Sequence, residues 1–198
     1  MANEPCNSPG CERNAVVRTF PVLKRRIVHQ ALYCEEHAKV FLTNYDVQQL
    51  TGDGRPQRWG DTVCFDIELM ISDDRPNEPC QFSLREVGGS RRMDFRTGIF
   101  EVSALQRELE RFSSLRPLTH RAMASVITAL GGRLERVVID GIIPAEKAIF
   151  EAKLHIQQMN ATVLVDVRPS DALVLAIVCN VPIAVSNSVL TQTAEEHW

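Results

Sequence analysis

Long apolar runs, an excess of basic residues and the common catalytic motifs are all missing from this sequence of 198 residues. No stretch approaches the roughly 20 apolar residues that cross a bilayer, so we expect no membrane span. The net charge is −3, which argues against binding of nucleic acid by the charge of the whole molecule. The patterns HExxH, GxSxG and the P-loop do not occur, which leaves no motif for the enzyme classes that depend on them.

The first residues also lack the basic-then-apolar layout of a secretory signal, and we expect a cytoplasmic protein. Apolar residues make up 44% of the chain and charged residues 24%, as in ordinary globular proteins. Residues 1–60 carry 8 Lys and Arg against 6 Asp and Glu, whereas residues 61–198 carry 14 against 19. Contact with nucleic acid would therefore require a local basic patch, or metal ions held by acidic residues.

Four metal-ligand side chains are grouped near the N-terminus. Cys6 and Cys11 form a C-x4-C pair, and Cys34 and His37 form a C-x2-H pair after 22 intervening residues. Two close pairs separated by a hairpin-sized insert supply the four ligands of tetrahedral Zn²⁺. A closed set of four leaves no open position, so the predicted zinc is structural and stabilises a small β-hairpin module. The alternatives are four free side chains, or a role for His29, which lacks the ligand spacing.

Two other features of the sequence have open interpretations. The predicted hairpin has Lys24-Arg25-Arg26 at its tip, which either contacts phosphate or is a solvated turn. Cys64, Cys80 and Cys179 lie in apolar strand or helix patterns and are predicted to be buried thiols.

The apolar periodicity of the remaining chain predicts an α+β fold, a mixed β-sheet with about three packed helices. We predict a zinc-binding module and linker over residues 1–60, a main domain over 61–190 and a loose tail over 191–198. Helices are predicted at 99–112, 119–130 and 170–179. Strands are predicted at 63–71, 81–87, 91–95, 134–142, 148–156, 162–167 and 182–186, with a hairpin turn at 87–90.

The most specific pattern is the run Asp166-Val167-Arg168-Pro169-Ser170-Asp171-Ala172, which joins a predicted strand to a predicted helix. A looser copy, Arg116-Pro117-Leu118-Thr119-His120, precedes another helix 52 residues upstream. Each places charged or imidazole groups at a helix N-terminus, a setting suited to anions or metal-bound phosphates. Ser170 and Thr119 are predicted to cap their helices.

The chain resembles the bifunctional nuclease domain family over roughly residues 62–190. The resemblance rests on five runs that occur in the family's order: Arg116-Pro117-Leu118-Thr119-His120, Val137-Val138-Ile139, Phe150-Glu151-Ala152, Asp166-Val167-Arg168-Pro169-Ser170-Asp171-Ala172 and Val181-Pro182-Ile183.

This resemblance implies hydrolysis of phosphodiester bonds in DNA or RNA, and a homo-oligomer. Divalent Mg²⁺ or Mn²⁺ prefers carboxylate oxygens, and arginine binds phosphate through two N–H groups. The residues assigned on this basis are Asp166, Asp171 and Glu101 for the catalytic metal, Arg116 and Arg168 for phosphate, and His120 as general acid or base. The plainer alternatives are a salt bridge to an arginine for Asp166, a charge near a helix N-terminus for Asp171 and Glu101, and a structural bond to a carboxylate for each arginine. For His120 the plainer alternative is a hydrogen-bonding core residue.

One segment departs from the family. Met93-Asp94-Phe95-Arg96-Thr97-Gly98 stands where members have an apolar leucine-proline-isoleucine strand before the glycine. If this strand lines the active cleft, Asp94 and Arg96 change its polarity. The alternative function is therefore a non-catalytic module that binds nucleic acid or protein. Carboxylates that converge in an open cleft favour catalysis, and carboxylates held in ion pairs favour the binding module.

Overall fold

The structure is a computed structural model that describes residues 4–23, 25–27, 30–48, 58–73, 80–143 and 149–195. These residues form eleven strands and five helices. The strands are β1 (Val17–Leu23), β2 (Arg26–Ile27), β3 (Ala31–Tyr33), β4 (Arg58–Trp59), β5 (Thr62–Asp73), β6 (Cys80–Glu86), β7 (Arg92–Thr97), β8 (Gly132–Ile143), β9 (Ile149–Gln158), β10 (Ala161–Val167) and β11 (Ile183–Ser186). The helices are α1 (Glu35–Gln48), α2 (Ile99–Leu109), α3 (Thr119–Ala129), α4 (Pro169–Cys179) and α5 (Asn187–Glu195).

The described strands form one mixed sheet, whose main path runs β10-β9-β8-β11-β5-β1-β2. Off this path, β3 pairs with β1, β4 and β6 pair with β5, and β7 pairs with β6. Within the described strands, β11 and β8 run parallel, and the other pairs are antiparallel. The predicted α+β fold with a mixed sheet is confirmed.

Helix α4 lies at the centre of the core because it is apolar on nearly every side. Its residues 172–176 are buried, and it packs against α2, α3, β8 and β9. Pro169 begins the helix, where its fixed φ is favourable and its missing N–H costs nothing. Asn180 ends it in the left-handed conformation, with φ 52°. These two residues fix the position of the helix N-terminus at the end of β10.

The two faces of β9 and β10 have different surroundings. Alternate residues of β9 lie in the core, namely Ala152, Leu154 and Ile156. Lys153 therefore points to the opposite face of the sheet. In the antiparallel register Val165 lies opposite Leu154, and Asp166 lies opposite Lys153. Because paired residues share a face, Val165 is on the helix side of the sheet and Asp166 is on the other side.

The N-terminal segment shares the sheet with the rest of the chain. Strand β1 pairs with the second half of β5, from Leu69 to Asp73. A small apolar cluster of Val17, Ala38 and Ile71 lies beside this contact. The domain boundary near residue 60 stays a prediction.

The C-terminal segment is more ordered than its composition indicates. Helix α5 extends to Glu195 and buries Val189 and Leu190, so the prediction of a loose tail is wrong for residues 191–195.

The predicted turn at 87–90 is confirmed, since β6 and β7 form an antiparallel hairpin around it. None of the described helices combines the length and the apolarity that a bilayer span requires.

Candidate functional site

Three helix N-termini provide the residues of the candidate site. Helix α2 begins after Gly98, α3 after Leu118 and α4 after Arg168, and no side chain caps any of the three. Both α2 and α3 pack against α4. Glu101, His120 and Asp171 all lie in the first turns of these helices. Each start carries partial positive charge from backbone N–H groups without helical partners.

Arg168 and Asp171 together join the three helix starts. Its Nη1 donates to Oε1 of Glu101 at 2.9 Å, and its Nε donates to Oδ2 of Asp171 at 2.8 Å. A further bond runs from Nη2 to Oδ1 of Asp171 at 3.3 Å. Nε2 of His120 lies 3.0 Å from the same Oδ1. We refer to Glu101, His120, Arg168 and Asp171 as the three-helix junction.

The electrostatics of the junction favour a charged Asp171. Burial alone would raise the pKa of Asp171, but the hydrogen bonds from Arg168 and His120 outweigh it and lower this pKa below its ordinary value. The same contact with Asp171 raises the pKa of Arg168. An ionised carboxylate only accepts hydrogen bonds, so Nε2 of His120 donates to Asp171 and Nδ1 is left to accept a proton.

Arg168 remains largely accessible despite these contacts. Its side chain is 66% exposed, against 20% for Glu101 and 25% for Asp171. A guanidinium has five N–H groups, of which the three bonds above use three. Two N–H groups are therefore left for a ligand that approaches from solvent.

Gly98 provides space for the carboxylate of Glu101. A Cβ at this position would lie 2.6 Å from Oε2 of Glu101, closer than atoms not bonded to each other approach. The glycine that begins α2 therefore lets Glu101 fold back toward the helix start.

A half-buried ion pair links α2 to α3. Arg121 donates to both carboxylate oxygens of Glu108, at 3.0 Å and 2.6 Å. The Glu108 side chain is 5% exposed and that of Arg121 is 47% exposed. This pair was not predicted from the sequence. The signal was the acidic residue between Leu105 and Leu109, on the apolar face of α2.

The structure places Asp166 away from the junction. Its side chain is on the sheet face opposite the helices, near Lys153 and Asp140. The hydrogen bond from Lys153 to Asp140, at 2.7 Å, raises the pKa of Lys153, and the charges of Glu151 and Asp166 add to this effect. Glu101, His120, Arg168 and Asp171 thus come together, and Asp166 does not join them.

Arg116 and the two predicted capping residues also differ from expectation. Arg116 is exposed in the segment before α3, and no hydrogen bond or ion pair joins it to another described residue. The prediction that Ser170 and Thr119 cap their helices is wrong. Pro169 takes the first helical position, so Arg168 is the N-cap residue and Ser170 turns into the core. Thr119 is likewise already helical, after Leu118.

Strand β7, whose sequence departs from the family, still alternates buried and exposed side chains. Met93 and Phe95 are buried, while Asp94 and Arg96 are exposed. Asp94 accepts hydrogen bonds from Ser83 and from Arg92, at 2.5 Å and 3.0 Å. The contacts of Asp94 are therefore to β6 and β7, not to the junction.

The three carboxylates assigned to Mg²⁺ or Mn²⁺ do not form a metal site in this arrangement. Glu101 and Asp171 are both paired with Arg168, and Asp166 lies on the other face of the sheet. Among the described residues, these three acids do not form a group whose ligand atoms all lie within 4.8 Å of one another. The donor placement does not fit a shared divalent ion, and we derive no catalytic step through one.

The N-terminal cluster, in contrast, has the geometry of a metal centre. The ligand atoms of Cys6, Cys11, Cys34 and His37 all lie within 4.8 Å of one another. Nδ1 of His37 is 3.5 Å from Sγ of Cys6 and 3.4 Å from Sγ of Cys34, and the Sγ atoms of Cys11 and Cys34 are 4.0 Å apart. A tetrahedral zinc ion requires about 3.6 Å between sulfur and nitrogen and about 3.8 Å between sulfurs. This Cys3His group can hold a metal such as zinc.

Local structure brings the four ligands together. Gly10, with φ 75°, closes the turn between Cys6 and Cys11. The backbone N–H of Asn7 donates to the carbonyl of Leu32 at 2.8 Å, which ties this turn to β3. Cys34 directly precedes α1, and His37 lies in its first turn. The backbone N–H of Arg13 lowers the pKa of Cys11 to about 7, whereas burial raises the pKa of Cys6.

The hairpin tip does not present all of its predicted charges to solvent. Nε of Arg25 donates to Asp66 at 3.0 Å, and its Nη1 donates to the carbonyl of Ala176 at 3.1 Å. Arg25 therefore binds to the main sheet and α4, while Arg26 is exposed. Lys24 and His29 lie outside the described residues.

The three remaining cysteines are partly or fully buried. Cys80 is 1% exposed, as predicted. Cys64 and Cys179 are half-buried, and burial raises the pKa of each thiol. None of these three forms a disulfide with another described cysteine.

Comparison with known proteins agrees with the resemblance in sequence. Residues 83–197 match the bifunctional nuclease domain, which is more than half of the chain and includes the whole junction. Two uncharacterized proteins of Mycobacterium tuberculosis, MT1877 and Rv1829, are each 32% identical to it over 119 residues. The match covers 60% of this chain and 69% of each relative. The chain belongs to the bifunctional nuclease domain family.

Proposed function

We propose that this protein hydrolyses phosphodiester bonds of DNA or RNA at the three-helix junction. The observation that supports this proposal best is the position of Arg168. It is largely exposed, it keeps two free N–H groups, and it lies where three uncapped helix N-termini meet. Backbone N–H groups and helix dipoles at such ends favour anions, and membership in the nuclease family favours a phosphodiester as that anion.

The acidic side chains of the junction offset its arginine charge, so the helix N-termini are important for attracting phosphate. The carboxylates of Glu101 and Asp171 together offset the charge of Arg168. Attraction for phosphate then depends on the helix N-termini and on Arg168 sharing its guanidinium between carboxylate and phosphate. We assign phosphate binding to Arg168 and Arg116, as arginine suits bidentate contacts with phosphate oxygens.

His120 is assigned the proton transfer. Asp171 accepts a hydrogen bond from Nε2 of His120 and so fixes the orientation of the ring. Nδ1 can then take a proton from an attacking water, or return one to the leaving oxygen. Asp171 acts as a positioning residue, and Glu101 holds Arg168 from α2. Asp166 stays a candidate catalytic residue, with its side chain on the other face of the sheet.

A second candidate function has one observation in its favour. Glu101 and Asp171 are held in ion pairs, the arrangement expected of a binding module. In that case the junction would bind nucleic acid or an acidic protein segment without hydrolysis, through the same Arg168.

Two further assignments complete the proposal. We assign Zn²⁺ to the Cys3His group, where four protein ligands would make it structural. We also propose that the protein acts as a homo-oligomer, as the family resemblance implies.

The test measures cleavage and binding separately. Labelled single- and double-stranded DNA and RNA are incubated with the protein in Mg²⁺, Mn²⁺ or EDTA, and binding is followed by fluorescence anisotropy. His120→Gln should retain binding and lose about 10²- to 10⁴-fold in cleavage rate. Arg168→Gln should weaken binding. Arg133→Gln is the matched control, because Arg133 is an exposed arginine in an ion pair on β8.

The outcomes discriminate between the two functions. Cleavage that is unchanged in His120→Gln would refute the catalytic assignment. Absence of cleavage in every condition, with binding that Arg168→Gln abolishes, would establish the binding module instead.

A further inference from the structure

An aromatic ring lies in water beside the three-helix junction. Phe100 is 85% exposed, more than any other aromatic side chain that the structure describes. It directly precedes Glu101, so their Cα atoms are about 3.8 Å apart. The carboxylate of Glu101 accepts a hydrogen bond from Arg168. Phe100 thus adjoins the residue that holds the guanidinium assigned to phosphate.

Packing and helix propensity do not account for a phenylalanine at this position. At 3.6 residues per turn, Phe100 lies about 140° round the helix from Leu105, which is one of the buried residues of α2. Phenylalanine also forms helices less readily than alanine or glutamate. Single exposed apolar residues are common on protein surfaces, and what distinguishes Phe100 is its position.

The direction in which Phe100 points follows from the geometry of α2. Phe100, Ala104 and Glu108 are four residues apart and form one row along the helix. Glu108 binds Arg121 of α3, so this row runs along the side of α2 that faces α3. Side chains of a helix lean toward its N-terminus. The ring of Phe100 therefore extends from the start of α2, on the side of α3.

Groups that attract phosphate lie at the same end of α2. The N–H of Val102 donates to the carbonyl of Gly98 at 3.2 Å, and the N–H groups before it have no partner within the helix. The guanidinium of Arg168 has two N–H groups left for a ligand. Because one sugar joins the phosphate and the base of a nucleotide, a phosphate at Arg168 and a base on Phe100 can belong to the same nucleotide or to adjacent ones.

We propose that Phe100 stacks on an unpaired base of a single-stranded nucleic acid whose phosphate binds Arg168; the phosphate contact rests on the proposed function. Bases within a duplex stack on one another, so their faces are not free for the ring, whereas a base of a single strand has an accessible face. Stacking reads neither the base identity nor the 2′-hydroxyl. The preference for single strands therefore applies to DNA and RNA alike.

The first experiment measures binding of labelled DNA and RNA by fluorescence anisotropy, as single strands and as the duplex of the same sequence. Wild-type protein should bind the single strands more tightly. Phe100→Ala should weaken single-strand binding about 5- to 150-fold, the range for loss of one stacked base, and change duplex binding less than about twofold. Phe112→Ala is the matched control, since Phe112 is also an exposed phenylalanine but lies beyond the C-terminal end of α2, and it should bind as wild type does.

The second experiment reports stacking directly. Phe100→Trp should keep the affinity for single strands, because indole also stacks on bases. Its indole fluorescence should be quenched when a single strand binds, beyond any change that wild-type protein shows, and duplex should not produce this quenching. Circular dichroism shows whether each variant is folded, and light scattering after size exclusion gives its mass.

The outcomes separate the stacking role from the proposed function. If Arg168→Gln weakens binding and Phe100→Ala does not, the stacking role is wrong although phosphate binding at the junction stands. If wild-type protein binds no nucleic acid, both are wrong. Equal affinity of wild-type protein for single strands and duplex, or equal weakening of both by Phe100→Ala, would also overturn the stacking role. So would a changed mass of Phe100→Ala in solution, because the ring would then belong to an interface between protein chains.

Discussion

Removing Arg121 from its ion pair with Glu108 should destabilise the protein more than removing Glu108, because Glu108 is the more buried of the two. Arg121→Met leaves the Glu108 carboxylate, which is 5% exposed, buried and without its partner. The loss of one member of a buried pair costs about 3–5 kcal/mol because the remaining charge is uncompensated. Glu108→Gln leaves Arg121, whose side chain is 47% exposed, with access to water. This change should cost only about 1–2 kcal/mol, the loss of charge-assisted hydrogen bonds.

The assay is urea unfolding followed by circular dichroism, at one fixed protein concentration because association would shift the midpoint. The two single variants and the Glu108→Gln/Arg121→Met double variant form a double-mutant cycle. In the double variant no buried charge is left, so it should be more stable than Arg121→Met alone. Arg133→Met removes an exposed ion pair with Glu135 and should cost about 0–1 kcal/mol. The reasoning is refuted if Arg121→Met costs no more than this control.

Three other predictions concern the metal centre, the packing of α3 and the junction. Wild-type protein should contain about one zinc per chain by elemental analysis and Cys34→Ser much less; equal content would refute the Cys3His site. Gly132→Ala should lose about 1–3 kcal/mol of stability, because its Cβ would lie 2.9 Å from Cγ2 of Ile156 and 3.1 Å from the carbonyl of Ile127; an unchanged urea midpoint would contradict this. The folded pKa of Asp171 is below its ordinary value of 3.8, so its contribution to stability is present above that value and is lost as pH falls through the folded pKa. Stability should therefore fall less steeply below about pH 4 in Asp171→Asn than in wild type, and parallel pH profiles would count against the ionised Asp171.

Local patterns predicted the parts of the molecule that depend on nearby residues. The start of α4 was predicted to within one residue, at Ser170 instead of Pro169. Proline is favourable at a first helical position and was the local signal there. The Cys3His group was predictable because each ligand pair lies within one turn, at C-x4-C or C-x2-H spacing. Asn180 at the end of α4 was a further signal of this kind, since asparagine tolerates the left-handed conformation there.

Contacts between distant residues could not be predicted in the same way. Glu101 and Arg168 are 67 residues apart, and their pairing depends on how α2 packs against α4. The side of the sheet on which Asp166 lies was, however, readable from the sequence. Val163, Val165 and Val167 alternate with it, so a strand that turns its valines to the helix side of the sheet must turn Asp166 to the other side. The assignment of Asp166 and Asp171 to one metal ion neglected this alternation.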